Sequence, residues 1–277
     1  MRTGTNPNTT AKVAGYGKIV ISAITHLPVA GGYHKERLKV VKCCLEMMRR
    51  NAGMDCQILV WDNGSYPSFT QWLKYEYQPD YLILSPNVGK SIARASIVRM
   101  LPPETIVGVS DDDMFFYPNW LKAHMELLEH FPNVGTVSGW PVRTQFKFHN
   151  TFTLKWAAKE KSLEFGRFIS EQEDHDFCRS IGRDIAWHDD FAKDVKDARI
   201  YWRGVKAYAT GHHCQWIGYA GRIAPLVEYT RLAMPDERPF EQAIDRANLL
   251  RLTTIKRTTL HIGNVLDKEL EDLWLHV

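Results

Sequence analysis

What is scarce in this chain of 277 residues already narrows the field. Five cysteines are too few and too scattered for a disulfide scaffold: Cys43 and Cys44 adjoin, while Cys56, Cys178 and Cys214 stand apart. The lack of any Cys-x-x-Cys pair argues against a zinc ribbon or a thioredoxin-type site. The expected state is therefore reduced thiols in a cytoplasmic interior. No apolar run approaches the ~18 residues that span a bilayer. The polar start (MRTGTNPNTTAKVAGYGK) lacks the apolar core of a signal peptide, and residues 1–17 are expected to form a flexible arm. Charge of one sign is not in excess either. The 35 Lys and Arg against 32 Asp and Glu leave +3, short of the basic stripe that marks a protein coating nucleic acid. Hydrophobic residues make up 44%, enough for a chain of this length to build its own core. Internal repeats and low-complexity linkers are missing as well.

What is present is an alternation of short apolar runs and amphipathic stretches. KIVISAIT (18–25), CQILVWD (56–62), DYLILS (80–85) and TIVGVS (105–110) have the β-branched, uninterrupted character of buried parallel strands. Between them lie helical patterns, the first carrying Leu38, Val41, Leu45 and Met48 at three- and four-residue steps. This order predicts an α/β fold: a mainly parallel, doubly wound sheet flanked by helices in one compact domain. Residues 18–135 would form one half, and 136–277 the other half of the same domain. Strands are expected at 136–142 and 206–213, and helices at 170–180 and 239–252.

Ligands in such sheets sit beyond the carboxyl ends of the strands, and polar clusters fall there four times. Thr25-His26, Asp62-Asn63-Gly64-Ser65, Asn87-Val88-Gly89 and Asp111-Asp112-Asp113 each follow an apolar strand. Three adjacent aspartates repel one another unless a cation or donor array compensates them. Hard oxygen ligands of this kind suit Mg²⁺ or Mn²⁺. His261, in LHIGN, is a candidate nitrogen ligand to the same ion. A second acidic group, Glu171, Glu173, Asp174 and Asp176, either dresses a helix N-terminus or supplies a general base. Trp140, Trp216 and His213 are candidates for contact with an acceptor or sugar. Between residues 143 and 167, basic and aromatic residues interleave in a way that also suits a polyanion.

Taken in order, these segments resemble the GT-A-fold, inverting nucleotide-sugar glycosyltransferases of glycosyltransferase family 2. VWDNGS (60–65), NVGKSIARA (87–95), SDDDMFF (110–116) and EDHDFCRSI (173–181) match that family's strand-end turn, Asn-x-Gly loop, Asp-x-Asp metal motif and base-bearing motif. HIGN (261–264) is similar to the late His that joins the metal site in some members. The resemblance implies a nucleoside-diphosphate sugar donor, a UDP-sugar by default, and a Mn²⁺ or Mg²⁺ cofactor. It places Thr25 and Asp62, with Asn63, at the nucleobase end, and Asn87, Gly89 and Arg94 on the ribose or phosphate side. Asp111 and Asp112 would hold hydroxyls, and Asp113 the metal, with Asp111 and His261 as further ligands. Asp174 would be the base, with Asp176 in reserve and Glu173 beside them. The acceptor is left open among a saccharide, a lipid-linked glycan, a protein and modified DNA.

Two rivals stand beside this expectation. A sugar-phosphate nucleotidyltransferase would want a Gly-rich basic loop after the first strand, whereas Gly31 and Gly32 are followed by Tyr33-His34-Lys35. A non-catalytic nucleotide- or carbohydrate-binding module would have no use for two separate carboxylate clusters.

Overall fold

Four apolar runs become the parallel heart of the sheet. In the computed structural model, which describes residues 18–29, 31–230 and 236–276, they form β1 (Ile19–Thr25), β2 (Gln57–Asn63), β3 (Tyr81–Ser85) and β4 (Ile106–Asp111). These pair in parallel in the order β3-β2-β1-β4. Helices α1 (Arg37–Arg50), α2 (Pro67–Trp72) and α3 (Lys90–Met100) make the crossovers. With helices on both faces, neither side of a central strand meets water, so Val20, Ile21, Ile58, Leu59 and Val60 are all buried. The arm expected over residues 1–17 lies outside the described residues.

The second half adds β5 (Met114–Phe116), α4 (Trp120–His130), β6 (Val134–Ser138), α5 (Thr151–Lys159), β7 (Leu163–Gly166), α6 (Glu171–Ser180) and α7 (Ile185–Ala192). It continues with β8 (Asp197–Trp202), β9 (Val205–Tyr208), β10 (Gln215–Tyr219), α8 (Ala220–Ile223), α9 (Arg238–Arg246), β11 (Leu250–Thr254), β12 (Thr259–His261) and α10 (Lys268–His276). Here the sheet stops being parallel. Its order runs on from β4 as β10-β6-β11-β9-β8-β7, and only β6 and β11 are parallel among these neighbours. The result is one α/β domain built on a mixed ten-stranded sheet flanked by helices.

Several boundaries differ from the sequence pattern for tertiary reasons. The strand expected over 136–142 stops at Ser138, where Gly139 lies so close to Thr258 that an added Cβ would be 2.3 Å from its Oγ1. The helix expected over 239–252 ends at Arg246. Asn248 takes a left-handed turn with φ 58°, and Leu250–Thr254 enters the sheet between β6 and β9. The expected strand 206–213 likewise ends at Tyr208.

Two pairings then position the site. A two-stranded ribbon of β5 and β12 sets His261 opposite Met114, and Ile262 N–H donates to Asp113 O at 2.7 Å. The antiparallel run of β10 on β4 sets Gln215 opposite Ser110, and Asp111 N–H donates to Cys214 O at 2.8 Å. The segments around His213 and His261 thereby reach the same strand end as the Asp triplet.

Candidate active site

A cavity of about 390 Å³ opens at the carboxyl ends of β1, β2 and β4, the edge where doubly wound sheets bind ligands. One wall is a closed ring of polar groups from three strand ends. His26 Nδ1–H donates to Asn63 O at 3.0 Å, and His26 Nε2 accepts from Asn87 Nδ2 at 3.3 Å. Asn63 Nδ2 in turn donates to Asn87 Oδ1 at 3.1 Å. The backbone N–H groups of Val88 and Gly89 donate to Asn63 Oδ1 and Asn87 Oδ1, at 2.9 and 3.0 Å. Gly89, at φ 87°, turns the chain into α3, a conformation glycine adopts without steric cost.

The opposite wall is charged. Asp111 faces Lys90 Nζ at 2.6 Å and Arg94 at 3.8 Å. Arg37 bridges Asp112 and Asp113, its Nη1 lying 3.2 Å from Asp113 Oδ2. His261 Nε2 stands 3.4 Å from that same oxygen. Burial pushes the Asp112 carboxyl above its usual range, although Arg37 opposes the shift. Burial acts on Asp113 as well, yet His261, Arg37 and Lys90 together hold it well below the carboxylate range. For His261, Asp113 outweighs the effect of burial and raises the imidazole. Asp113 Oδ1 is buried and has no hydrogen-bond partner. A desolvated, unpaired carboxylate oxygen is costly unless something cationic meets it. His261 Nε2 offers a nitrogen beside the same carboxylate, and oxygen and nitrogen donors of this kind suit a divalent cation.

Some expected site residues stand behind the cavity wall. Thr25 is buried at the end of β1. Asp62 accepts Ser65 N–H at 3.1 Å and Thr70 Oγ1–H at 2.7 Å, so it braces the turn and leaves the wall to Asn63. Arg94 is buried and paired with Glu237. The two tryptophans do not offer a stacking surface. Each is 1% exposed, Trp140 lying parallel to the rings of His212 and His261 and Trp216 against Phe240. A large apolar ring buried in the core has no face left for an acceptor. His213 is partly exposed and donates Nδ1–H to Glu241 at 3.0 Å.

The cavity also takes His34, Arg37, Lys90 and Asn264, which the sequence pattern did not single out. Arg37 and Lys90 begin the helices that follow β1 and β3. That position was the available signal, because helix starts after parallel strands face this edge.

The second acidic group divides by helix face. Ser170 caps α6, and Glu173 closes the capping box. Asp174 is fully buried and accepts from Arg143 N at 2.8 Å, Arg143 Nη1 at 2.9 Å and His188 Nε2 at 3.0 Å. Arg143 continues to Asp197 at 3.0 Å, so this member of the basic stretch is internal. Burial would raise the Asp174 carboxyl, but His188 and Arg143 hold it below the usual range. Asp176, two residues on and so about 200° around the helix, points the other way. It meets Arg257 at 2.5 Å and Arg179 at 2.8 Å, with a partly exposed side chain. One turn further, Ser180 touches His261 at 2.9 Å.

Residues 33–189 match the model of glycosyl transferase family 2, more than half of the chain, which therefore belongs to that family and has the GT-A fold. No curated protein matches it. Among solved structures it is similar to mannosyltransferase PcManGT from Pyrobaculum calidifontis in complex with GDP-Man and Mn²⁺, at 18% identity and a TM-score of 0.35. That match covers 50% of this chain and 41% of the other, so this chain spans well under half of it. Mouse xyloside xylosyltransferase 1 in its apo form is 9% identical with a TM-score of 0.36, over 91% of this chain and 79% of that one. The inositol-1-phosphate CTP transferase of T. maritima is 11% identical with a TM-score of 0.46, over 94% and 96%. No helix among the described residues is long and apolar enough to cross a membrane.

Proposed function

We propose that this glycosyltransferase moves a sugar from a nucleoside-diphosphate sugar, a UDP-sugar by default, to an acceptor hydroxyl, with Mn²⁺ or Mg²⁺ and with inversion at the anomeric carbon. The observation that carries this is the buried, unpartnered Oδ1 of Asp113 beside His261 in the strand-end cavity. Asp113 and His261, with Asp111, would hold the cation. When bound, a divalent cation offsets the negative charge that develops on a departing diphosphate.

The remaining roles fall to the chain itself. The ring of His26, Asn63 and Asn87 offers directional donors and acceptors to a nucleobase and ribose. Arg37 and Lys90 are cations lining the same cavity and would meet phosphate oxygens. Asp112, released from Arg37, would accept from sugar hydroxyls. Asp176 is the base in this scheme, because Asp174 is enclosed by Arg143 and His188. Its carboxylate takes the proton of the acceptor hydroxyl while that oxygen attacks the anomeric carbon and the diphosphate leaves from the opposite side. The acceptor belongs to one of four classes: a saccharide, a lipid-linked glycan, a protein or modified DNA.

The test is a thermal-shift panel of UDP, GDP, dTDP and CDP, each with Mn²⁺, Mg²⁺ or EDTA. A ligand that binds the folded state must raise its apparent stability. One nucleoside diphosphate is expected to raise Tm with the cation and to lose that effect in EDTA. The absence of any shift across the panel would overturn the donor assignment.

A further inference from the structure

We infer that Ser180 is a positioning residue that fixes the tautomer of His261, so that Nε2 presents its lone pair to a cation held at Asp113; this role rests on the glycosyl transfer proposed above. His261 Nδ1 lies 2.9 Å from Ser180 Oγ. A hydroxyl has a single proton to donate, and that of Ser180 goes to Phe177 O at 2.8 Å, three residues back along α6. With its proton on Phe177 O, Ser180 Oγ accepts from the imidazole, and His261 Nδ1 carries the hydrogen. The opposite nitrogen, Nε2, is the atom 3.4 Å from Asp113 Oδ2. A ligating histidine commonly has its second ring nitrogen fixed in this way, and the fixing group sets both the tautomer and the ring orientation.

Two further contacts hold the arrangement. The Trp140 ring lies nearly parallel to that of His261, at 15° and 6.2 Å between centroids, which confines the imidazole plane. Gly263, at φ 76°, sits so close to Ser180 that an added Cβ would be 2.1 Å from its carbonyl oxygen. The loop after β12 is thus seated on the end of α6. One serine joins the helix that carries Asp176 to the strand that carries His261.

The test uses the full chain, with Mn²⁺ affinity followed by electron paramagnetic resonance and the His261 ring followed by ¹⁵N–¹H NMR in the metal-free protein at alkaline pH, where the imidazole is neutral. The wild type is expected to bind Mn²⁺ and to show the Nδ1–H tautomer. Ser180→Ala should weaken Mn²⁺ binding about 10- to 100-fold and mix the tautomers, with Tm nearly unchanged. Ser180→Thr, which keeps the hydroxyl, should restore both. Wild-type affinity in Ser180→Ala, or no recovery in Ser180→Thr, overturns the role of Ser180 alone. A wild type that binds no Mn²⁺ overturns the metal-dependent transfer and, with it, this role.

Discussion

The two acidic clusters look alike as sequence, and their surroundings make them different objects. Asp111 ends a central strand, Asp112 and Asp113 follow it, and all three line an open cavity, facing Arg37 and Lys90. Asp174 ends a bond network with Arg143, His188 and Asp197 that is sealed inside the domain. The first cluster keeps a buried oxygen without a partner, whereas Asp174 accepts three hydrogen bonds. A carboxylate's task is set by what faces it: an open cavity leaves it available to a ligand, and a closed network makes it part of the frame.

Mutations can break this contrast. The largest effect is expected for Asp176→Asn, which should reduce transfer about 10²- to 10⁴-fold while leaving Tm and nucleotide binding near wild type; full activity would remove Asp176 from the mechanism. Asp174→Ala should instead cost about 3–5 kcal/mol of stability, because it leaves Arg143 and His188 buried with less compensation. Urea unfolding measures this, and a loss under about 1 kcal/mol would count against a structural role. Asp113→Asn should lower Mn²⁺ affinity by at least about 100-fold, more than a supporting residue would; calorimetric titration that finds unaltered affinity would sink the metal assignment.

A pH series sharpens the same comparison. The Asp174 carboxyl is held below its ordinary value, so its contribution to stability is present above that value and is lost as pH falls through the folded one. Tm should therefore drop on acidification below about pH 5, and Asp174→Asn should flatten that slope. The smallest effect is expected for Ser170→Ala, about 1 kcal/mol from loss of the α6 cap, with Mn²⁺ binding untouched.

Much of the strand-end cavity was legible in the sequence. Uninterrupted apolar strands alternating with amphipathic helices specify a parallel sheet, and a parallel sheet specifies which edge its polar strand ends share. Asn63, Asn87, Asp111, Asp112 and Asp113 line the cavity for that reason. Periodicity failed where long-range pairing decided the outcome. Residues 250–252 end the helix expected over 239–252 yet lie in β11, between β6 and β9, and Trp140 and Trp216, apt for stacking by type, are enclosed by the core.

By itself the sequence determined the parallel half of the sheet, the strand ends at the site, the family motifs and the crowding of like charge in the Asp triplet. These depend on local pattern and on residues close together along the chain. Only the tertiary structure decided that His261 meets Asp113 through the β5–β12 ribbon, that Arg37 and Lys90 enter the cavity, and that Asp174 turns inward while Asp176 turns outward. Each of those outcomes depends on which distant surface a residue faces, and that is set by strand register and helix rotation in the folded domain.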